Sequence, residues 1–439
     1  MTPGCKPGKN SKRKPPNFLR SQPVRPAGLC LISRQILCVS ILESSPTLAK
    51  KTGRLALNQT IGYFAAFISL GMTAASLGPT LPGLAEQTHS EISEISFLFT
   101  GRSCGYMVGS LMGGRAFDRL RGHPLIVATL LIIAGGMALA PTIPFLWLLT
   151  LNLFILGLAE GATDVGINTM LIWIHRRRVG PFMNALHFFF GFGAFLAPVV
   201  VAQAIKMTGE IAWAYWALAV YIVPVVIWLA RLPSPQSVHE IYTEERPPAN
   251  RRLVSVIALF FVLYVGAESS YGGWVYTYAT TLGLAGPARA AYLTSLFWGV
   301  FTIGRLVGIP LAARLRSQTM LAWDLAGCLL SMVVILLFPE SLLALGIGSA
   351  GLGFSMASMF PNMLVYAERQ MHLSGRITGW FLVGGGLGAM FLPWLIGQAF
   401  EPLGASIVMW IILADILLTG AAFIAVLALS ARRRSGSAS

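Results

Sequence analysis

Three side chains that could handle a cation stand at regular spacing inside one apolar run. Glu160, Asp164 and Asn168 lie in GLAEGATDVGINTMLIWIHRRR, Gly157 to Arg178. Steps of four residues put two carboxylates and an amide on one face of a helix. At about 1.5 Å per residue, Asp164 lies about 18 Å and Glu160 about 24 Å from Arg176, near the middle of a hydrocarbon layer of about 30 Å. A charge at that depth costs at least about 2.5–3.5 kcal/mol, so such groups are expected to face a bundle interior or a water-filled path. Two buried carboxylates one turn apart resist ionising together. The pair is therefore expected to hold a proton or a sodium ion, with Asn168 supplying a neutral oxygen. The plainer alternative is that one acid pairs with an arginine of a neighbouring helix.

Further polar groups fall at similar depth. Glu268 is followed by Tyr271, Gly272, Gly273 and Trp274. A carboxylate beside aromatic faces suits the hydroxyls and ring faces of a sugar, and the competing reading is a salt bridge from Glu268 to Arg102 or Arg305. Arg102 is expected to be a counter-charge to one of the three acids, and Arg305 to be structural. Asn184 and His187, in NALHFFFGFG, are assigned to the same solute site, with simple packing as the alternative for the histidine. Asp415 is expected to make a structural contact.

The elements that must position these groups are apolar. Of 439 residues 55% are hydrophobic and 11% charged, far below the charge of a soluble domain. The composition predicts an all-α membrane protein with twelve spans, six between 58 and 231 and six between 253 and 430, on either side of a polar linker at 232–252. Residues 1–54 carry eleven Lys or Arg against one acid, Glu43, and are expected to be a disordered basic tail. Residues 431–439 form a short basic tail. The net charge of +15 comes from short blocks between apolar runs, which argues against nucleic-acid binding. Arg119, Arg121, Arg176–Arg178, Arg231, Arg251, Arg252, Arg314, Arg316 and Arg432–Arg434 fall on one side. On the other fall only Lys206 and Arg289, with Glu86, Glu91, Glu94, Glu210, Glu340 and Glu401. The positive-inside rule then places both termini and the linker in the cytoplasm. Five scattered cysteines show no metal or redox spacing. No cofactor or metal cluster is expected, and the glycine-rich runs lack the strand and lysine of a phosphate loop.

The loop after the second span reads GGRAFDRLRGHP, Gly113 to Pro124. It resembles the loop between helices two and three of the major facilitator superfamily. That resemblance implies that Asp118, Arg119, Arg121 and Gly113 form a conformational latch. Setting Arg314–Arg316 on Arg119–Arg121 brings Gly308 opposite Gly113 and Ala313 opposite Asp118, so the second copy keeps the glycine and loses the acid. The stretches GRSCGYMVGSLMGGRAFDR, NALHFFFGFGAFLAP, YVGAESSYGGWVYTYA, LFWGVFTIGRLVGIPL and GRITGWFLVGGGLGAMFLPWLIGQ resemble the sodium-dependent glucose transporter-like branch, related to the fucose–proton symporters. The resemblance covers nearly all of 55–430. It implies twelve helices in two pseudo-symmetric six-helix bundles, 55–231 and 253–430, alternating access, and sugar uptake driven by sodium or protons. Asp164 and Asn168 match the Asp-x-x-x-Asn of that branch's fourth helix, which makes Asp164 the expected coupling acid and a sodium ligand if sodium is the ion. The first helix lacks the acid that fucose symporters carry there, and Glu160 has no counterpart.

The resulting expectation is a monomeric, multi-pass secondary transporter of the plasma membrane, binding a small solute, most simply a monosaccharide, and a cation. An exporter of amphipathic compounds in exchange for protons is a second reading, and a solute sensor that moves nothing is a third. No enzymatic triad, metal cluster or nucleotide motif is present.

Overall fold

The computed structural model describes residues 46–235, 251–371 and 375–436; the side chains of 46–52, Asp118, Arg177, Arg376 and 432–436 lie outside that description. Residues 1–45 of the expected tail, and the core of the central linker, 236–250, likewise lie outside the described residues, whereas 46–54 are helical, which corrects the expectation of a disordered tail up to 54. Residues 57–439 make one compact unit.

Long apolar segments have no water to satisfy their backbone, so each closes its own hydrogen bonds as a helix. In chain order they are α1 (Pro46–Thr88), α2 (Phe97–Arg119), α3 (Gly122–Leu139), α4 (Leu146–His175), α5 (Val179–Thr208) and α6 (Ala212–Ala230). The second set is α7 (Arg251–Thr281), α8 (Pro287–Arg314), α9 (Ser317–Leu337), α10 (Leu342–Met356, continued as Met359–Gln370), α11 (Gly375–Leu403) and α12 (Ile407–Gly436). Eleven are long and apolar enough to cross a membrane. The exception is α2, whose 23 residues suffice in length but include Arg102, Arg115, Asp118, Arg119 and five glycines.

Those glycines explain where α2 sits. Gly101, Gly105, Gly109 and Gly113 recur every four residues and turn one face to α4. A Cβ on Gly105 or Gly109 would collide with the backbone of Phe154 or Leu158, and one on Gly113 would stand 2.8 Å from Ala162 Cα. From the other side, Gly157 and Gly161 face the backbone of Arg102 and Tyr106. Small residues at this spacing let two membrane helices touch along their backbones. The register of α2 against α4 is thereby fixed.

The two halves repeat a joint. Thr129 of α3 and Thr163 of α4 share a hydroxyl hydrogen bond of 2.7 Å. Moving both by the separation of Arg119 from Arg314, 195 residues, lands on Asp324 of α9 and Ser358 of α10. Those two are also bonded, Ser358 Oγ donating to Asp324 Oδ2 at 2.5 Å.

Contacts that join the halves gather toward the end carrying the acidic loops. A Cβ on Gly78 of α1 would lie 2.6 Å from the Gly272 carbonyl of α7, and one on Gly386 of α11 would lie 2.7 Å from Met107 of α2. Ser295 Oγ of α8 donates to the Phe195 carbonyl of α5 at 3.0 Å, and Gln203 donates to Tyr292 at 2.5 Å. At the acidic rim, Glu401 of α11 accepts from Ile92 N at 2.9 Å and Ser93 Oγ at 3.2 Å. Gln398 adds a bond to the Ser93 carbonyl at 2.8 Å. This rim is sealed.

Candidate functional site

Helix α2 brings two side chains one turn apart against the two acids of α4. The Arg102 guanidinium takes both oxygens of Glu160, Nε at 2.9 Å and Nη2 at 2.8 Å, and its Nη1 reaches the Ala74 carbonyl of α1 at 3.4 Å. Tyr106, four residues on, donates to Asp164 Oδ2. Asn168 closes the other side, its Nδ2 donating to Asp164 Oδ1 at 2.8 Å and to the Asp164 carbonyl at 2.9 Å. The four-residue step on α4 is matched by the four-residue step on α2, and glycine packing holds the two ladders in register.

This corrects the expectation that Glu160 and Asp164 share one cation. Glu160 already has its counter-charge, in the one ion pair within 4.0 Å among the described residues. A bidentate guanidinium leaves its carboxylate little need of another cation. Asn168 gives Asp164 an N–H where an oxygen ligand had been expected. Asp164 is held by hydrogen bonds alone, with no basic group paired to it among the described residues. Of the two acids it is the one without a counter-charge among the described residues.

Across the midplane stand Glu268 on α7 and Arg305 on α8. They lie within electrostatic reach of each other, yet beyond the 4.0 Å of an ion pair. The alternative of a salt bridge between them is therefore not realised here. Arg305 packs its guanidinium over Phe301, 4.6 Å from the ring centre, and its buried Nε has no hydrogen-bond partner. The same guanidinium reaches electrostatically toward His187 on α5, in the other half. His187 meets Phe67 edge-on, and both it and Asn184 are exposed. Tyr264 stands beside Glu268 while donating its hydroxyl to the Met356 carbonyl at 3.0 Å. His187, Glu268 and Arg305 form a polar group drawn from both halves, with donors and acceptors not used up by the protein.

Two residues expected at the solute site stand elsewhere. Tyr271 and Trp274 are each 0% exposed. Tyr271 bonds Ser349 at 2.7 Å inside the second half, against Phe297. Trp274 donates to the Pro393 carbonyl at 3.1 Å and packs between Phe99 of α2 and Phe400 of α11. It belongs to the sealed seam, and neither ring offers a free face. For Trp274 the helix explains the difference, because six residues on from Glu268 is about 240° around the axis.

At the opposite rim, Arg119 and Arg121 are exposed and line a groove of about 830 Å³ with His123, Trp173 and Ser234. His123 donates from Nδ1 to the Leu232 carbonyl at 2.8 Å, and its Nε2 accepts from Tyr63 at 2.8 Å. That bond ties the end of α6 to the loop holding the expected latch. The side chain of Asp118 lies outside the described residues, and Gly113 serves the α2–α4 contact. Tyr106, Tyr264 and Asp324 were not singled out from the sequence. Tyr106 had a signal, since it repeats after Arg102 the step from Glu160 to Asp164.

Two six-helix bundles that meet at one rim and face each other with polar side chains near the midplane have the architecture of a solute carrier. The family model of the Major Facilitator Superfamily matches residues 60–393, and the chain belongs to that family. It is 32% identical over 374 residues to sodium-dependent glucose transporter 1A of Mus musculus, covering 76% of this chain and 88% of that one. The Homo sapiens sodium-dependent glucose transporter 1 is 31% identical over 371 residues, covering 76% and 72%. Among solved structures, a mutant form of the nucleoside transporter NupG superposes with a TM-score of 0.70 at 15% identity, covering 85% of this chain and 99% of that one. A D-xylose–proton symporter gives 0.68 at 14%, covering 84% and 97%. This chain is a multi-pass membrane transporter, and its relatives are transporters, not enzymes.

Proposed function

We propose that this transporter carries a monosaccharide by symport with a monovalent cation, using alternating access. The observation that carries the reading is Asp164, a carboxylate near the membrane midplane held by Tyr106 and Asn168 without a basic partner among the described residues. A group in that state needs a proton or sodium ion for balance. Glu268, Arg305 and His187 supply the acceptors and donors for sugar hydroxyls, with Asn184 nearer the arginine-bearing end. The likeness to sodium-dependent glucose transporters supports both substrate class and ion. With arginine-rich loops in the cytoplasm, the sealed acidic rim is extracellular and the structure is the inward-facing state. The protein then works in the plasma membrane, as a monomer with both termini inside.

The test is uptake of radiolabelled glucose into proteoliposomes under separate sodium and proton gradients. Accumulation driven by one gradient supports the reading. Equilibration without accumulation under either gradient would overturn coupling, and expulsion of an amphipathic probe by an inward proton gradient would favour an exporter.

A further inference from the structure

The joint at Asp324 and Ser358 differs from its counterpart in the first half. Thr129 and Thr163 are two hydroxyls satisfying each other inside continuous helices. In the second half the first hydroxyl has become a carboxylate, and α10 is interrupted at Ala357 and Ser358. Three polar groups at that interruption are bonded. The Met356 carbonyl accepts from Tyr264 at 3.0 Å, Ser358 donates to Asp324, and Asn362 Nδ2 donates to Ser358 Oγ at 3.0 Å. Asn362 is 4% exposed and Ser358 8%. Asp324 is less enclosed and lies seven residues into α9, about 10 Å from its arginine-bearing end by the helical rise.

No arginine, lysine or histidine is paired with Asp324 among the described residues. From α10 it faces Ser358 and Asn362, and along its own helix it faces Cys328 one turn on. Tyr264 of α7 stands near Cys328. Helix α12, which also packs on α9, carries Asp415, buried with Oδ2 unpartnered. Acting for the charged form are two short-range donors and the positive end of the helix that starts at Met359. Acting against it is the cost of a lone charge in an apolar layer. A carboxyl caught between these opposing influences can be held in either protonation state.

We propose that Asp324, with Ser358 and Asn362, is a proton-binding site in the second half, separate from Asp164, and that its protonation state sets the geometry of the α10 interruption. A proton from water at the arginine-bearing end adds to the carboxylate, which then becomes a weaker acceptor for the Ser358 hydroxyl. The N-terminus of Met359–Gln370 loosens, and with it the Met356–Tyr264 bond beside Glu268. This assignment stands whether or not the solute is a sugar.

Full-length protein in nanodiscs tests it by two measurements against pH. Difference infrared spectra should show a carboxylic C=O band that grows on acidification and is missing in Asp324→Asn. Hydrogen exchange at residues 362–364, the first amides past Pro361, corrected for intrinsic rates, should lose about tenfold in protection over the same range in the native protein and be pH-independent in Asp324→Asn. Ser358→Ala keeps the acid and should retain the infrared band while losing the exchange response, so the test survives if the first variant folds poorly. An infrared change that persists in Asp324→Asn would overturn the site. So would a band in Ser358→Ala with exchange still following pH. A carboxylate shift produced by sodium at fixed pH, and absent in Asp324→Asn, would make the occupant sodium and overturn the proton assignment.

Discussion

Arg102 and Glu160, on neighbouring helices 58 positions apart in sequence, meet through two parallel hydrogen bonds of 2.8 and 2.9 Å. Glu160 is only 3% exposed and Arg102 20%. Removing one partner of such a pair leaves an uncompensated charge. Arg102→Met is therefore expected to destabilise the protein by about 3–5 kcal/mol, and Arg102→Met with Glu160→Met to recover most of that loss. Thermal unfolding in detergent provides the measurement. If the double variant is as unstable as the single one, the pair does more than neutralise itself.

Asp164 predicts a different pattern. Asp164→Asn keeps the shape and the Asn168 contact but cannot change charge. It is expected to bind and exchange sugar passively while losing concentrative uptake. Tyr106→Phe removes one bond to a charged acceptor, worth about 1.5–3 kcal/mol, and should impair accumulation with exchange retained. Uptake at native levels against a gradient in Asp164→Asn would remove it from the coupling site.

The acidic rim should respond to pH. The carboxylates of Glu401 and Glu94 push the Glu91 carboxyl above its ordinary range. A group whose pKa is raised in the sealed state binds its proton more tightly there, so the sealed state gains as pH falls and loses as pH rises. Acid on that side is expected to favour sealing, and Glu401→Gln to weaken it by the loss of a charged acceptor for Ile92 N and Ser93. Accessibility of the native Cys104, half-buried on α2 beside Met390 of α11, to a thiol reagent added from the acidic side would report both. An unchanged labelling rate between pH 5 and 8 would contradict the expectation.

Glycine packing gives the plainest contrast. Gly109→Leu should prevent α2 from docking on α4 and abolish expression of folded protein. Gly114→Ala, whose new methyl would meet nothing nearer than Val165 at 4.0 Å, should be tolerated. Fluorescence-detected size exclusion distinguishes the two.

The helices and their number were legible because apolar runs and arginine blocks survive any packing. The acids stood out for the same reason, as charges where charge is costly. Partners were harder to read. Arg102 reached Glu160 and not Glu268 because a glycine face, at one register, decides which turn of α2 meets which turn of α4. Trp274 misled because nearness to Glu268 along the chain is a different angle around the helix. Asp324 was visible as an acid in LAWDLAG, and Pro361, which has no N–H for the Ala357 carbonyl, marks the interruption in α10. What the sequence does not show is that Ser358 at that break meets the acid.

Helix α2 has one more consequence, for biosynthesis. It is too polar to settle in lipid on its own merits, and what compensates it, Glu160 and the glycine face of α4, is made later. At about 5–20 residues per second, the 58 positions between Arg102 and its acid take about 3–12 s to translate. During that interval α2 must wait beside the translocon, in a water-lined channel or against a chaperone. The first four helices are therefore expected to enter the bilayer as a group rather than one by one.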